Sequence, residues 1–129
     1  MQPHEITTRS ATQRVDEHGM FHAVILPGVE QTLEDAQENV RACARIGGGR
    51  RRPLLVDMRQ IKSQSREARD YYAGEGSAAQ YTAVAILVGS PISRLIGNFF
   101  LGFNRSAFSP VKLFTSEAEA IAWLRTFLT

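Results

Sequence analysis

The sequence predicts a single-domain α/β fold with a mostly parallel sheet. Segments with helical spacing of apolar residues alternate with short apolar segments along the chain, an order typical of parallel strands joined by crossover helices. Residues 82–88, TAVAILV, are apolar at nearly every position, which predicts a central strand covered on both faces. The 129 residues fit one domain, spanning residues 1–129.

The N-terminal part predicts an antiparallel hairpin ahead of the parallel strands. Residues 5–15 are polar with weak alternation and predict an edge strand. Residues 16–19, Asp-Glu-His-Gly, are typical of a turn. Residues 20–27, MFHAVILP, then run apolar to a proline and predict the second strand of the hairpin.

The first predicted helix begins after Thr32, whose acidic neighbour Asp35 completes a capping box. Apolar residues then recur at helical spacing, namely Leu33, Ala36, Val40, Cys43 and Ala44. Residues 47–49, three glycines, end the helix. A phosphate-binding loop would instead follow a strand and open a helix, so these glycines predict a solvated loop.

Three further strand–helix pairs follow. Residues 53–58, 82–88 and 111–114 predict strands, and helices are expected to begin after Ser65, at Ser90–Pro91 and after Ser116. The predicted order is therefore ββαβαβαβα. We expect the core to contain Val56, Val84, Ile86, Phe99, Leu113 and Leu124.

Residues 90–108 hold four of the chain's seven phenylalanines. A helix of 100° per residue places one apolar stripe toward the sheet, formed by Ile92, Leu95, Ile96, Phe99, Phe100 and Phe103. The remaining small and apolar residues are expected on the outer side and form a candidate interface of Gly97, Leu101, Gly102 and Phe108. A second copy of the chain is the first candidate for covering this side, and a lipid-like ligand is the other.

Composition narrows the classes of function. The formal net charge of +2 is low for a protein that binds duplex nucleic acid, and no partner of that kind is expected. The single cysteine, Cys43, excludes an internal disulfide, and no His, Cys or carboxylate spacing predicts a metal site or a cofactor. Without a signal-like or membrane-spanning segment, we expect a cytoplasmic protein.

Three stretches carry a family resemblance: VDMRQIKSQSREARDYY, AVAILVGSPISRLIGNFFLGFN and KLFTSEAEAIAWL. With the predicted order, they resemble small uncharacterised bacterial proteins of the STAS/Sec14-like fold group, also called SpoIIAA-like. This fold is that of bacterial anti-sigma-factor antagonists. The resemblance covers residues 54–128 well and the N-terminal half by pattern only.

The resemblance implies a candidate regulatory serine. In the antagonists, a kinase phosphorylates a serine at a helix start, and the matching position here is Ser65, with Ser63 as the second choice. A phosphate there would meet the helix N-terminus, and Arg66 and Arg69 could pair with it. The antagonists carry a small residue and glycine after this serine, whereas Arg66 follows it here. The alternative is that Ser65 only caps the helix.

Asp57 and Arg59 form a candidate polar ligand site, because Asp57 ends a buried strand at the edge where open α/β sheets bind ligands. Asp57 could equally pair with a helix arginine or cap a turn. No nucleophile–base pair or paired carboxylates occur at motif spacing, so we do not expect an enzyme. We expect a homodimeric binding or regulatory module acting on a protein partner, and the alternative is an apolar small-molecule or lipid carrier.

Overall fold

The computed structural model describes residues 4–103 and 110–128. Its strands are β1 (Glu5–Thr7), β2 (Ala11–Val15), β3 (Phe21–Ile25), β4 (Glu30–Gln31), β5 (Arg52–Asp57), β6 (Ser63–Gln64), β7 (Tyr81–Leu87) and β8 (Val111–Phe114). Its helices are α1 (Leu33–Gly47), α2 (Arg66–Ala73), α3 (Glu75–Ala78), α4 (Pro91–Phe103) and α5 (Glu117–Arg125).

The main sheet has six strands in the order β1-β2-β3-β5-β7-β8. The first three strands pair antiparallel, and β3, β5, β7 and β8 pair parallel. The mostly parallel α/β sheet with an N-terminal antiparallel hairpin is therefore confirmed. The predicted edge strand is divided into β1 and β2, because residues 8–10 turn the chain back. A second sheet of only β4 and β6 was not predicted.

Side chains fix the starts of the helices where the sequence predicts them. Thr32 Oγ1 accepts from the backbone N–H of Asp35 at 3.3 Å, and Asp35 Oδ2 accepts from that of Thr32 at 2.9 Å. Gly48 ends α1 with φ of 66°, a left-handed conformation that glycine adopts without strain. Ser65 Oγ accepts from the N–H of Ala68 at 3.1 Å, so Ser65 is the N-cap of α2.

The two faces of the sheet are covered unequally. On one face, α5 is the helix of the described residues that packs across β5, β7 and β8, and its Leu124 is fully buried among side chains of the central strands. On the other face lie α1, α2, α3 and α4 with Ile86, which is 2% exposed. The predicted burial of Ile86 and Leu124 is confirmed.

Four other residues expected in the core are only partly buried: Val56, Phe99, Leu113 and Val84. Val56 and Val84 belong to the central strands, yet both line a cavity under the helices. Strand position alone therefore overstates their burial, because the small helix residues that line the cavity leave part of the space above them open.

Helix α4 is rotated relative to the prediction. Leu95, expected in the inner stripe, is 67% exposed, and Gly97, expected on the outer side, is buried. A Cβ on Gly97 would lie 2.7 Å from Leu113 Cδ2, so the glycine allows α4 to approach β8 closely. Ser93 is also buried, because its Oγ accepts from the N–H groups of Gly89 and Ser90. The expectations for Leu95 and Gly97 are wrong, because a hydrogen-bonded serine and a glycine, which hydrophobicity does not mark, face the core. The expected inward position of Ile96 and outward position of Leu101 are confirmed.

Within residues 4–103 and 110–128, no helix combines the length and apolarity needed to cross a bilayer.

Ile86→Ala should lower the free energy of unfolding by about 2–5 kcal/mol, because it removes a fully buried side chain from the central strand. Urea denaturation monitored by circular dichroism measures the change. Val24→Ala is the matched control, since Val24 is 44% exposed on β3, and it should stay within about 0.5 kcal/mol of the native protein. A cost for Ile86→Ala as small as that of the control would contradict the assigned core.

Candidate functional site

A cavity of about 130 Å³ lies between the sheet and the helices α1 to α4. Its floor is apolar and comes from the central strands, including Leu54, Val56, Val84 and Ile86. Small residues leave the space open: Ala11 and Ala23 on the strands, and Ala73, Ser77 and Ala78 on the helices. None of the described residues that line it carries a formal charge.

Asn39 of α1 lies at the centre of a polar network on one wall of the cavity. Its side-chain Nδ2 donates to Ser10 Oγ at 2.9 Å and to the Tyr72 hydroxyl at 3.0 Å. Its Oδ1 accepts from Thr8 Oγ1 at 2.6 Å and from Gln13 Nε2 at 3.2 Å. Asn39 therefore ties the β1–β2 turn and β2 to α1 and α2 while remaining 6% exposed.

A relay of side chains extends from Ser10 to the small second sheet. Gln31 Nε2 donates to Ser10 Oγ at 3.3 Å, and Gln64 Nε2 donates to Gln31 Oε1 at 2.9 Å. All three side chains are buried. The relay ends at Gln64 Oε1, a buried atom that has no hydrogen-bond partner among the described residues.

The other end of the network holds neutral phenol and thiol groups. Cys43 donates its S–H to Gln13 Oε1. Burial raises the pKa of the Cys43 thiol to about 11, against a smaller lowering by a hydrogen bond with Tyr81. Burial also raises the pKa values of Tyr72 and Tyr81 above their ordinary range. These groups therefore stay uncharged near neutral pH, in keeping with the uncharged lining.

A second depression lies on the surface beside the cavity, between α2 and α4. It has a volume of about 280 Å³ and is lined by Ser63, Gln64, Arg69, Ile92, Leu95, Ile96 and Phe99. Gln64 lines both the cavity and this groove. The groove therefore lies directly outside the polar end of the cavity.

The candidate regulatory residues lie around the start of α2. Ser65 Oγ caps the helix, as described above. Arg66 forms a long, exposed ion pair with Asp70 at 4.0 Å. Arg69 donates to the Gln64 carbonyl at 2.8 Å and lies over the Phe99 ring at 5.5 Å. The capping role of Ser65 is present in the structure, and its phosphorylation stays a prediction.

The candidate polar ligand residues bind each other. Asp57 Oδ1 accepts from the backbone N–H and Nε of Arg59 at 3.1 and 3.0 Å, and Oδ2 accepts from Nη2 at 2.7 Å. Arg59 also approaches Glu117 at 3.5 Å. Asp57 therefore caps the turn after β5, which the sequence offered as an alternative to a ligand site.

The candidate interface residues do not form one surface. Gly97 faces β8, whereas Leu101 is 38% exposed. Gly102 lies in the last turn of α4, and Phe108 lies outside the described residues. Leu95 is the most exposed large apolar residue of the described chain.

Sequence reasoning missed the polar wall of the cavity. Asn39 follows Ala36 by three residues and precedes Cys43 by four, so helical spacing placed it on the apolar face of α1. Gln13 is likewise in phase with Ala11 on β2. For Gln31 and Gln64, which belong to two-residue strands, the sequence offered no comparable signal.

Among the described residues, no group of His, Cys, Asp or Glu side chains is arranged to hold a metal ion. The described residues instead form a small, uncharged cavity with an apolar floor and a wall rich in side-chain amides.

The chain resembles two solved structures of proteins without an assigned function. One is an uncharacterised protein of the DUF3478 family with a SpoIIAA-like fold from Shewanella loihica PV-4, at 16% identity and a TM-score of 0.61, covering 93% of this chain and 90% of that chain. The other, from Arthrobacter sp. FB24, has 29% identity but a TM-score of 0.34, covering 88% of this chain and 97% of that chain.

The first of these likenesses confirms the SpoIIAA-like fold that the sequence predicts. No curated protein matches the chain. A family model described as a domain of unknown function, DUF7793, matches residues 15–128, and the protein belongs to that family.

Proposed function

We propose that this protein is a non-enzymatic binding module that holds a small apolar molecule in the cavity between its sheet and its helices. The cavity itself carries the proposal. Its volume of about 130 Å³ is close to that of an engineered cavity of about 150 Å³ that binds benzene. Sites for drug-sized ligands occupy roughly 300–1,000 Å³, so the volume favours a small molecule over the lipid of a Sec14-like carrier.

The lining supports a neutral ligand. A charged molecule would lose its hydration without meeting an opposite charge, since the described lining residues carry none. The floor of aliphatic side chains offers the apolar contact that favours transfer of such a molecule from water.

The same lining supports binding over catalysis. Its amide side chains bond to one another and to serine, and its thiol and phenols are held neutral by burial. A nucleophilic cysteine needs a lowered thiol pKa, whereas that of Cys43 is raised. The SpoIIAA-like fold, which bacterial anti-sigma-factor antagonists also have, supports a cytoplasmic, regulatory setting for this module.

A second candidate function is interaction with another protein, including a second copy of the chain. The observation that favours it is the exposure of two leucines on α4, Leu95 and Leu101. Arg94 and Asn98 are also exposed on this helix, so the surface is mixed rather than continuously apolar.

Titration with toluene should shift the backbone NMR resonances of cavity-lining residues, because the ring fits the cavity and meets its apolar floor. Ala23→Leu should abolish these shifts by filling the space. Val24→Leu is the matched control, since it adds the same class of side chain to the exposed position next along β3, and it should leave binding unchanged. Ala73→Leu on α2 is a second filling variant if Ala23→Leu does not fold. Absence of shifts in the native protein, or unaltered binding in folded filling variants, would rule out the cavity as the site.

Cys43 should resist thiol reagents at pH 8 in the folded protein and react fully in urea, because it is 3% exposed and its pKa is about 11. Since the thiol pKa rises from an ordinary value of 9.0 to about 11 on folding, the folded state favours the neutral thiol. This contribution to stability is complete below about pH 9 and should be lost as the pH rises toward 11. Urea denaturation should show a steeper decline over this range in the native protein than in Cys43→Ala. Rapid labelling of the folded protein would contradict the buried, neutral thiol and reopen a covalent role.

Leu101→Arg should convert a homodimer into a folded monomer, if α4 is the contact, since it places a charge on an exposed apolar site outside the core. Size-exclusion chromatography with light scattering should give about twice the 14.3 kDa chain mass for the native protein and the mass of one chain for the variant. Val24→Arg is the control, because Val24 is exposed to a similar degree on the sheet, and it should not change the mass. A native mass near 14.3 kDa at micromolar concentration would show that the protein is a monomer and would contradict this prediction.

A further inference from the structure

We infer that the molecule held in the cavity carries a hydrogen-bond donor, and that this donor binds Gln64 Oε1. The inference rests on the proposed function and names the class of its ligand. Gln64 is 7% exposed and lines the cavity. Its side-chain oxygen has no partner among the described residues, and a buried acceptor left without a donor is energetically costly.

The neighbouring side chains fix the direction of the hydrogen bonds from Gln13 to Ser10. Gln13 Nε2 faces the backbone carbonyl of Asn39 at 3.2 Å, which can only accept, so the Gln13 amide is fixed in orientation. Gln13 therefore donates to Asn39 Oδ1, and Asn39 Nδ2 points to Ser10. In the structure, Gln31 also donates to Ser10 and accepts from Gln64.

The relay is thus a row of donors that all point toward Ser10. Each side-chain amide donates an N–H to the next residue in this row, and every amide oxygen except that of Gln64 accepts a hydrogen bond from another side chain. Gln64 is the last member, so nothing in the relay is left to donate to its oxygen. A molecule in the cavity that carries one O–H or N–H group would complete the row.

The same geometry disfavours other ligand classes. A carboxylate would bring a second acceptor against Gln64 Oε1 and a charge into a lining that has none. A hydrocarbon would occupy the apolar floor and leave the oxygen unpaired. The ligand class is therefore a neutral molecule of about one ring, apolar over most of its surface, with a single donor. Because Gln64 also lines the groove between α2 and α4, the polar end of the ligand lies on the side of that groove.

Phenol and toluene are the probes, since they have similar size and differ in the donor. Their dissociation constants, measured by NMR titration, should be compared in the native protein, in Gln64→Leu and in Gln80→Leu. The relative preference for phenol over toluene should be roughly three- to tenfold greater in the native protein than in Gln64→Leu, the range for one hydrogen bond. Gln80→Leu should match the native protein, because Gln80 also has an unpaired side-chain oxygen but does not line the cavity. Benzoate should not bind.

An equal phenol preference in the native protein and Gln64→Leu would overturn the inference while leaving the proposed function in place. Failure of both phenol and toluene to bind would remove the proposed function, and this inference with it. A second measurement needs no variant: phenol should shift the side-chain amide resonances of Gln64 more than toluene does. Unchanged Gln64 side-chain resonances at saturating phenol would mean that phenol does not bind this oxygen, and would also overturn the inference.

Discussion

The fold depends on the requirement that polar side chains buried between β2 and α1 satisfy one another. Burying an amide without a partner costs more free energy than a typical hydrogen bond returns. Asn39 meets this requirement with donors and acceptors from the β1–β2 turn, β2 and α2. Helix α1 is thereby fixed in rotation over the sheet, since a turn in either direction would leave several of these groups unpaired. The apolar side chains of the surrounding cluster, such as Cys43, Phe21 and Ile46, then pack around α1 in the orientation that these hydrogen bonds set.

The cavity is a consequence of this arrangement. The relay from Ser10 to Gln64 holds the β4–β6 pair against the main sheet, and α2 follows directly from β6 through its cap at Ser65. Helices held at these fixed points present alanine and serine to the centre of the sheet. The space above Val56 and Val84 therefore remains open, although central strands of a parallel sheet are ordinarily covered on both faces.

Apolar periodicity was sufficient for the order of the longer strands and helices, because each of them buries a set of apolar residues, but it did not predict β4, β6 or α3. It failed where burial depends on hydrogen bonds between residues distant in the chain. Gln13 and Asn39 are partners across 26 positions, and a polar residue taken alone indicates a solvent-facing position. The rotation of α4 has the same origin, since Ser93 is buried through local hydrogen bonds and Gly97 through close approach to Leu113. Asp57 was recognised at the sheet edge, but its bidentate pairing with Arg59 follows from the turn geometry and not from the pattern.

The position of the cavity would give a molecule bound there, as proposed, a direct effect on the stability of the fold. Its lining includes residues of α1, α2, α3 and α4, so these helices share contact with whatever fills it. A ligand that binds only the folded state stabilises it by RT ln(1 + [L]/Kd), about 2.7 kcal/mol at a concentration one hundred times Kd. That gain in the free energy of unfolding is comparable with the cost of losing a large core side chain. It would act more directly on the helices that line the cavity than on α5, which packs on the opposite face of the sheet. If the cavity holds a ligand as proposed, its occupancy would be coupled to the order of α2 and α4, the two helices that frame the outer groove. Ser65 caps α2, and the exposed leucines belong to α4.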